Sequence, residues 1–185
     1  TDCHSRCSGT ARNSVIGSSF RVSIAWNPDR RYGETQAGIT ELGDSKMPYP
    51  EEMVAPMRAE LTDNGVEELR TAEAVKEFLE RNKDKSAMIV LNSVCGCAAG
   101  AARPGILLSL GGDAKPDAVG TVFAGNDVDA VNYVRSLVPQ APPSSPSVYM
   151  FKKGEPAAYV PRHVFEGGHP EAVAEHLRGA YAKLS

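Results

Sequence analysis

Two cysteines separated by one glycine, Cys95-Gly96-Cys97, are the side chains of this 185-residue chain whose types and spacing best suit them to chemistry. They follow the apolar run Ile89-Val90-Leu91 and precede a segment of small residues. A thiol where a strand ends and a helix starts faces free backbone N–H groups and the positive end of the helix dipole, which favour the thiolate. Because the thiolate attacks disulfides, Cys95 is predicted to be the nucleophile. Cys97, one step further into the helix, is predicted to be the more buried partner thiol.

The one-residue spacing indicates the kind of thiol chemistry. An internal disulfide closes a smaller and more strained ring here than in Cys-x-x-Cys, and strain makes a disulfide easier to reduce. The pair is therefore predicted to suit disulfide rearrangement, or removal of a small thiol from a mixed disulfide. Gly96 leaves room for a substrate sulfur. Asn92 and Ser93 are candidates to hydrogen-bond a thiolate or a substrate backbone, although a polar strand end without that role explains them equally well.

Other interpretations of the cysteines remain open. Two small buried side chains at a helix start need no chemistry, and paired thiolates are ligands that soft metals favour. A non-catalytic metal-binding or thiol-sensing module that uses Cys95 and Cys97 is therefore the alternative function. A second pair, in Cys3-His4-Ser5-Arg6-Cys7, also resembles a metal motif. A closed zinc site needs about four ligands, however, and no further Cys/His pair lies nearby, so no metal is assigned.

Composition and charge narrow the classes of protein. A hydrophobic content of 42% and a charged content of 23% are ordinary for a soluble globular protein. The net charge of -3 gives no reason to expect binding to nucleic acid or to an anionic membrane. No apolar run approaches the roughly 20 residues that span a bilayer, and no secretory signal is predicted at the start. Four cysteines are too few for a disulfide-stapled scaffold, so a cytoplasmic protein is expected.

The chain divides into two parts by composition. Residues 1–46 are rich in Ser, Gly, Thr, Arg and Asn, and only Ser19 to Trp26 alternates like a strand. We expect this part to be an N-terminal extension that is flexible or loosely packed. Residues 47–185 are expected to form the compact domain.

The compact domain is predicted to alternate helices and strands. Helices are expected over 51–64, 72–82, 98–110, 128–138 and 170–183, and strands over 66–70, 86–92, 117–124, 147–152 and 157–160. Met53, Met57 and Leu61 are predicted to be the inward face of the first helix, which Pro56 should kink or restart. Pro104 is expected to kink the third helix, and Arg103 beside it to be a solvated charge.

This order of elements predicts the fold. Alternating units imply parallel central strands, and the closing hairpin adds antiparallel pairing. A β-α-β unit, a joining helix and then a hairpin with a helix is the arrangement of an α/β, thioredoxin-like fold, with a central mixed β-sheet flanked by helices. The cysteines follow the second strand of that core, where the fold carries its active site. Pro146 stands where the fold has a cis-proline that faces the cysteines, so Pro146 is predicted to be cis and to contact substrate.

With these residues in view, the chain from about Met47 to Ser185 resembles the bacilliredoxins, a bacterial thioredoxin-fold family with a Cys-Gly-Cys motif. The most specific piece is the run from Asn92 to Pro104. The supporting pieces are Met47-Pro48-Tyr49-Pro50, Ala55-Pro56-Met57-Arg58, Glu67-Glu68-Leu69-Arg70-Thr71, Pro146-Ser147 and Pro161-Arg162-His163.

The resemblance implies an activity. Cys95 would attack the mixed disulfide of an S-bacillithiolated client protein, free the client thiol and take up bacillithiol. Cys97 or a second bacillithiol would then release it. Weak disulfide isomerase or reductase activity is also implied. No cofactor is expected beyond bacillithiol as thiol co-substrate, the partners would be bacillithiol and the client proteins, and a homodimer is left open. Residues 1–46 lie outside the family pattern.

Overall fold

The computed structural model describes residues 48–112 and 114–184. Several predictions fall outside those residues: the strand from Ser19 to Trp26, the second cysteine pair of Cys3 and Cys7, and the boundary between residues 46 and 47. They stay predictions.

The described residues alternate helices and strands in the predicted order. The helices are α1 (Glu51–Thr62), α2 (Ala72–Arg81), α3 (Arg103–Leu110), α4 (Val128–Ser136) and α5 (Pro170–Tyr181). The strands are β1 (Glu67–Glu68), β2 (Ser86–Asn92), β3 (Ala118–Phe123), β4 (Ser147–Lys152) and β5 (Glu155–Val160). A π-helical turn, Ala98–Ala102, leads into α3, and a 3-10 turn, Arg162–Val164, follows β5. No helix within these described ranges is long and apolar enough to cross a membrane.

The sheet has five strands in the order β1-β3-β2-β4-β5. β3 runs parallel to both β1 and β2, whereas β4 runs antiparallel to β2 and to β5. This mixed sheet, with a parallel half and a closing hairpin, is the predicted thioredoxin-like fold. β2 is the central strand, so the chain that follows it leaves from the middle of one sheet edge.

β2 is buried along its whole length and is apolar from Ala87 to Leu91, since both faces of the sheet are covered. Met88 and Val90 belong to one core cluster, which α1, α3 and α5 complete. Ala87, Ile89 and Leu91 belong to the other cluster, which α2 and α4 complete. The helices on the two faces of the sheet hold β2 from both sides, and they therefore fix the position of its C-terminal end.

The buried face of α1 matches the prediction in part, since Leu61 is buried and Met57 is half-buried. The structure buries Val54, Arg58 and Leu61, whereas Met53 is 45% exposed. The prediction for Met53 was wrong because it followed only apolar residues at a four-residue spacing, and the buried face also includes the charged Arg58. Here that charge has a buried partner, so the arginine is accommodated in the face that packs inward.

That partner is Asp127, the residue before α4. The two terminal nitrogens of Arg58 donate to the two carboxylate oxygens of Asp127, each at 2.8 Å. The Arg58 guanidinium also lies over the Phe123 ring, 4.9 Å from its centroid. Burial opposes the charge on Arg58, but the hydrogen bonds and negative charge of Asp127 outweigh it, so the pKa of Arg58 is raised. The pair fixes α1 to the start of α4.

Both prolines expected to disturb helices are accommodated differently. α1 is one continuous helix across Pro56 and does not restart. Pro104 lies in the first turn of α3, where a missing N–H group is tolerated, and the irregularity takes the form of the π-helical turn before it. This irregular turn directly follows Cys97.

Candidate active site

Cys95 and Cys97 lie in the turn that connects β2 to the π-helical turn. The Cys95 carbonyl accepts hydrogen bonds from the N–H groups of Ala98 and Ala99, at 3.0 and 3.3 Å, which begins the helical path. The two sulfurs are joined in a disulfide, with the Cα atoms 5.4 Å apart. Both cysteines are half-buried and Gly96 is exposed. Burial therefore does not distinguish Cys97 from Cys95, as the sequence had suggested it would.

Hydrogen bonding does distinguish the two sulfurs. The Ala98 N–H group and the Ser93 hydroxyl both donate to the Cys95 sulfur, each at 3.3 Å. No donor to the Cys97 sulfur is found within residues 48–112 and 114–184. Donors of this kind stabilise a thiolate more than a thiol, because the charged form is the stronger acceptor. Cys95 therefore has the surroundings of a nucleophile.

Asn92 supports this turn from behind. Its side chain is buried, its amide nitrogen donates to the Met57 carbonyl at 3.0 Å, and its amide oxygen accepts from the Ser93 N–H at 2.8 Å. These bonds tie the end of β2 to α1 and to the residue that touches the Cys95 sulfur. The predicted contact between Asn92 and a substrate stays a prediction.

Arg103 is a buried cation, and the expectation of a solvated charge was wrong. It is 3% exposed, its Nε donates to a Glu60 carboxylate oxygen at 2.6 Å, and a terminal nitrogen donates to the Ser93 carbonyl at 3.2 Å. The same nitrogen reaches the Asn92 amide oxygen at 3.3 Å. Local sequence gave no signal for this, because Glu60 is 43 positions away. Arg103 places a positive charge directly behind the turn that carries Cys95.

The Ser145-Pro146 peptide bond is cis, as predicted, and Pro146 is buried. The antiparallel register pairs Leu91 of β2 with Ser147 of β4. Pro146 therefore lies at the same edge of the sheet as the cysteine turn. Its contact with a substrate stays a prediction.

A cavity of about 520 Å³ opens beside Cys95. Its size falls within the range of about 300–1,000 Å³ that is usual for small-molecule sites. Its walls come from the turn before Cys95, from the loop after β3, from α4 and from the loop before β4. The polar and charged side chains in its lining are Tyr49, Ser93, Asn132, Arg135, Ser145 and Arg162.

Cys97 faces a different surface. A shallower groove of about 320 Å³ is lined by Gly96, Cys97, Gly100 and Ala101 on one side and by residues 165–168 on the other. Cys95 lines the cavity and Cys97 lines the groove, so the two cysteines border separate surfaces.

Residues 48–112 and 114–184 contain no group of three His, Cys, Asp or Glu side chains that could hold a metal ion. The alternative of a metal-binding module would therefore have to find further ligands for the cysteine pair beyond this part of the chain.

The chain is similar to known proteins over the described domain. The family model for disulphide isomerase matches residues 49–185. A bacilliredoxin of Cytophaga hutchinsonii is 49% identical over 136 residues, which cover 74% of this chain and 99% of that protein. A bacilliredoxin of Shouchella clausii is 47% identical over 133 residues, covering 72% of this chain and 91% of that protein. A solved structure with a thioredoxin fold gives a TM-score of 0.49 at 18% identity, over 62% of this chain and 92% of that one.

Proposed function

The chain belongs to the bacilliredoxin family of thiol–disulfide oxidoreductases, and from that premise we propose that it removes bacillithiol from S-bacillithiolated proteins. The observation that carries the proposal is the pair of hydrogen bonds to the Cys95 sulfur, from Ser93 and from the Ala98 N–H, at the end of the central strand. The relatives named above support thiol redox chemistry. The identity of the small thiol as bacillithiol is the part that we propose.

In the first step, the Cys95 thiolate attacks the bacillithiol sulfur of the mixed disulfide. The bond between that sulfur and the client sulfur breaks, and a new disulfide forms between Cys95 and bacillithiol. The client leaves as a thiolate, which takes a proton from water. No net oxidation occurs, because one disulfide replaces another.

In the second step, the Cys97 thiolate attacks the Cys95 sulfur. Bacillithiol leaves as a thiolate, and the Cys95–Cys97 disulfide remains as the oxidised form. The two residues are near enough for this step, because their sulfurs are bonded in the structure. Alternatively, a second bacillithiol attacks the bound one, which yields bacillithiol disulfide and returns the reduced enzyme directly.

The surrounding residues serve this chemistry by position. Ser93 and the Ala98 N–H stabilise negative charge on Cys95 before attack, and again when Cys95 is the leaving group. Arg103 holds the backbone of Ser93 and adds a buried positive charge behind the turn. Gly96 and Pro146 border the reacting sulfurs in this proposal and contact the substrate.

The client proteins carry the mixed disulfide, and bacillithiol acts as co-substrate, so no further cofactor is proposed. We place the reaction in the cytoplasm, where chains with few cysteines usually act and thiols stay reduced. Weak disulfide isomerase or reductase activity is part of the proposal, in keeping with the description of the matching family model. A homodimer stays a prediction.

Mass spectrometry of two variants tests the proposal. A client peptide carrying a bacillithiol mixed disulfide is mixed with the reduced full-length chain, as wild type, Cys95→Ser and Cys97→Ser. Cys97→Ser should free the client thiol and retain bacillithiol on Cys95, whereas Cys95→Ser should free none. An adduct on Cys97 alone would reverse the two roles. Failure of the wild type to release the client would refute the function.

A further inference from the structure

We propose that the cavity beside Cys95 binds the carboxylate-bearing part of an anionic small thiol, with Arg135 as the principal anion-binding residue and Arg162 as the second. The inference rests on the proposed function, since it names the chemical class of the thiol that the site accepts. Recognition of the thiol would then be separate from its reaction: the arginines hold one end while the sulfur meets Cys95.

Arg135 is a half-buried cation that lacks a counter-ion. It lies in the last turn of α4, and its Nε is buried without a hydrogen-bond partner. The other two buried arginines of the described chain, Arg58 and Arg103, each hold a carboxylate, from Asp127 and Glu60. No ion pair to Arg135 occurs within residues 48–112 and 114–184. A guanidinium in this position is left to interact with what enters the cavity, and carboxylates fit its planar donors best.

A neighbouring phenol does not supply the missing negative charge. Tyr149 is fully buried, and Arg135 acts electrostatically on it. Burial is the main influence on this hydroxyl and raises the pKa of Tyr149, so it stays neutral near pH 7. Tyr149 therefore does not neutralise the charge of Arg135.

Arg162 adds a second cation at the cavity and is held there by three contacts. Its Nε donates to Glu166 at 2.5 Å, one terminal nitrogen donates to the Ser145 carbonyl at 3.2 Å, and its backbone N–H donates to Ser144 at 3.3 Å. The bonds to Ser144 and Ser145 fasten Arg162 to the loop that carries the cis-proline. Because the Glu166 pair is half-exposed, it is weak and leaves Arg162 able to share its charge with a ligand.

The rest of the lining is consistent with an anionic ligand of small size. No Asp or Glu is among the lining residues, so nothing in the wall repels a carboxylate. Apolar surface from Val94, Val128 and Val131 lies between the polar groups, and Val128 is 55% exposed. A cavity of about 520 Å³ holds a small molecule better than an extended peptide.

This placement would choose which sulfur Cys95 attacks. A mixed disulfide has two sulfurs, and the one whose carrier occupies the cavity lies beside Cys95. If the small thiol is held by the arginines, its sulfur takes the new bond and the client sulfur leaves toward solvent. The client is then released first, and the small thiol remains on Cys95, as the proposed function requires.

A matched pair of substrates tests the inference. One client peptide without charged side chains is joined by a disulfide to N-acetylcysteine or to N-acetylcysteine amide, which differ in one carboxylate. Release of the peptide thiol is followed with the full-length chain as wild type, Arg135→Gln and Arg81→Gln. Arg81 is an exposed arginine on α2, outside the cavity lining, and it controls for the loss of one positive charge.

The wild type should act on the carboxylate substrate about tenfold faster in kcat/KM than on the amide, the effect of roughly one charge-assisted hydrogen bond. Arg135→Gln should lower that preference to about twofold or less, mainly through a higher KM for the carboxylate substrate. Arg81→Gln should keep the preference. Far-UV circular dichroism and thermal unfolding of the three proteins check that Arg135→Gln is folded.

Four outcomes would overturn the inference. Equal wild-type rates on the two substrates would show that the carboxylate is not recognised. A preference that survives Arg135→Gln would place recognition elsewhere. If acidic residues added to the client peptide raise the rate, and the carboxylate on the small thiol does not, the cavity binds the client. If the wild type releases the peptide from neither substrate but does release it from a bacillithiol mixed disulfide, the inference fails and the proposed function stands. Failure with all three disulfides refutes the proposed function, and the inference with it.

Discussion

The Ser93 hydroxyl donates a hydrogen bond to the Cys95 sulfur across 3.3 Å. Ser93 is itself buried and is fixed by Asn92 and Arg103 through its backbone. The hydroxyl is thus aimed at the sulfur by two residues that do not touch it.

Replacing Ser93 with alanine should therefore slow the reaction of Cys95. Loss of a hydrogen bond to a charged group reduces the thiolate fraction, and we expect iodoacetamide labelling at pH 7 to fall by roughly tenfold. The measurement uses a Cys97→Ser background so that one site thiol is followed. Ser136→Ala, an exposed serine of α4, is the control and should label at the parent rate. Equal labelling of both variants would show that the hydroxyl contributes nothing.

Arg103→Met should loosen the turn that carries Cys95. It removes the bonds to Ser93 and Asn92, and we expect a loss of roughly 2 kcal/mol in the free energy of unfolding. Glu60 is half-exposed, so Glu60→Gln should cost less, about 1 kcal/mol or below. Urea unfolding of the reduced proteins measures both values. A larger loss for Glu60→Gln would contradict the assigned order.

Asp127→Asn should be more harmful than either, because it removes the buried carboxylate that pairs with Arg58 and leaves the more exposed Glu51 and Glu68. Removing one partner of a buried pair typically costs about 3–5 kcal/mol. We expect a loss in that range by urea unfolding, and Glu67→Gln, at an exposed ion pair with Arg81, should change stability by less than about 1 kcal/mol. A small loss for Asp127→Asn would show that Glu51 and Glu68 compensate the Arg58 charge without Asp127.

Two glycine substitutions in helices should change the stability of the fold in opposite directions. A Cβ at Gly105 of α3 would lie 2.6 Å from Val173 of α5 and 2.9 Å from the Pro170 carbonyl, so Gly105→Ala should destabilise by roughly 1–3 kcal/mol. A Cβ at Gly179 of α5 meets nothing within 4 Å, so Gly179→Ala should stabilise by about 0.5–1 kcal/mol. Thermal unfolding distinguishes them. Stabilisation by Gly105→Ala would mean that α3 and α5 can separate.

The contribution of Asp117 to stability should depend on pH. Hydrogen bonds from the Ser86 hydroxyl and N–H hold the pKa of Asp117 below its usual value of 3.8. A lowered pKa gives stability that is full above pH 3.8 and is lost as the pH falls through the folded-state value. Asp117→Asn should therefore be less stable than wild type at pH 7, with the difference shrinking toward pH 2. A difference that is constant with pH would contradict this account.

Sequence patterns were sufficient where the signal is local. The apolar run of β2 predicts a buried central strand, and the cysteines that follow it are at the predicted sheet edge. The position of Pro146 before the hairpin predicted its cis peptide bond.

Sequence patterns failed where a charge has a distant partner. Arg58 and Asp127 are 69 positions apart, and an arginine on a helix is ordinarily exposed, so nothing local indicated that Arg58 is buried. The same holds for Arg103. The cavity is harder still to predict from sequence. Arg135 lies on α4 and Arg162 on the 3-10 turn, and these two elements meet only in the folded chain.

The separate surfaces beside Cys95 and Cys97 have a consequence for chemical tools. The cavity and the groove differ in charge and shape. The charge and shape of a covalent reagent should therefore decide which cysteine it reaches. An acidic electrophile small enough for the arginine-lined cavity would label Cys95 in the reduced chain. A neutral, flat electrophile would label Cys97 through the glycine-lined groove. One reduced motif would thus accept two different labels, and each half-reaction could be blocked alone.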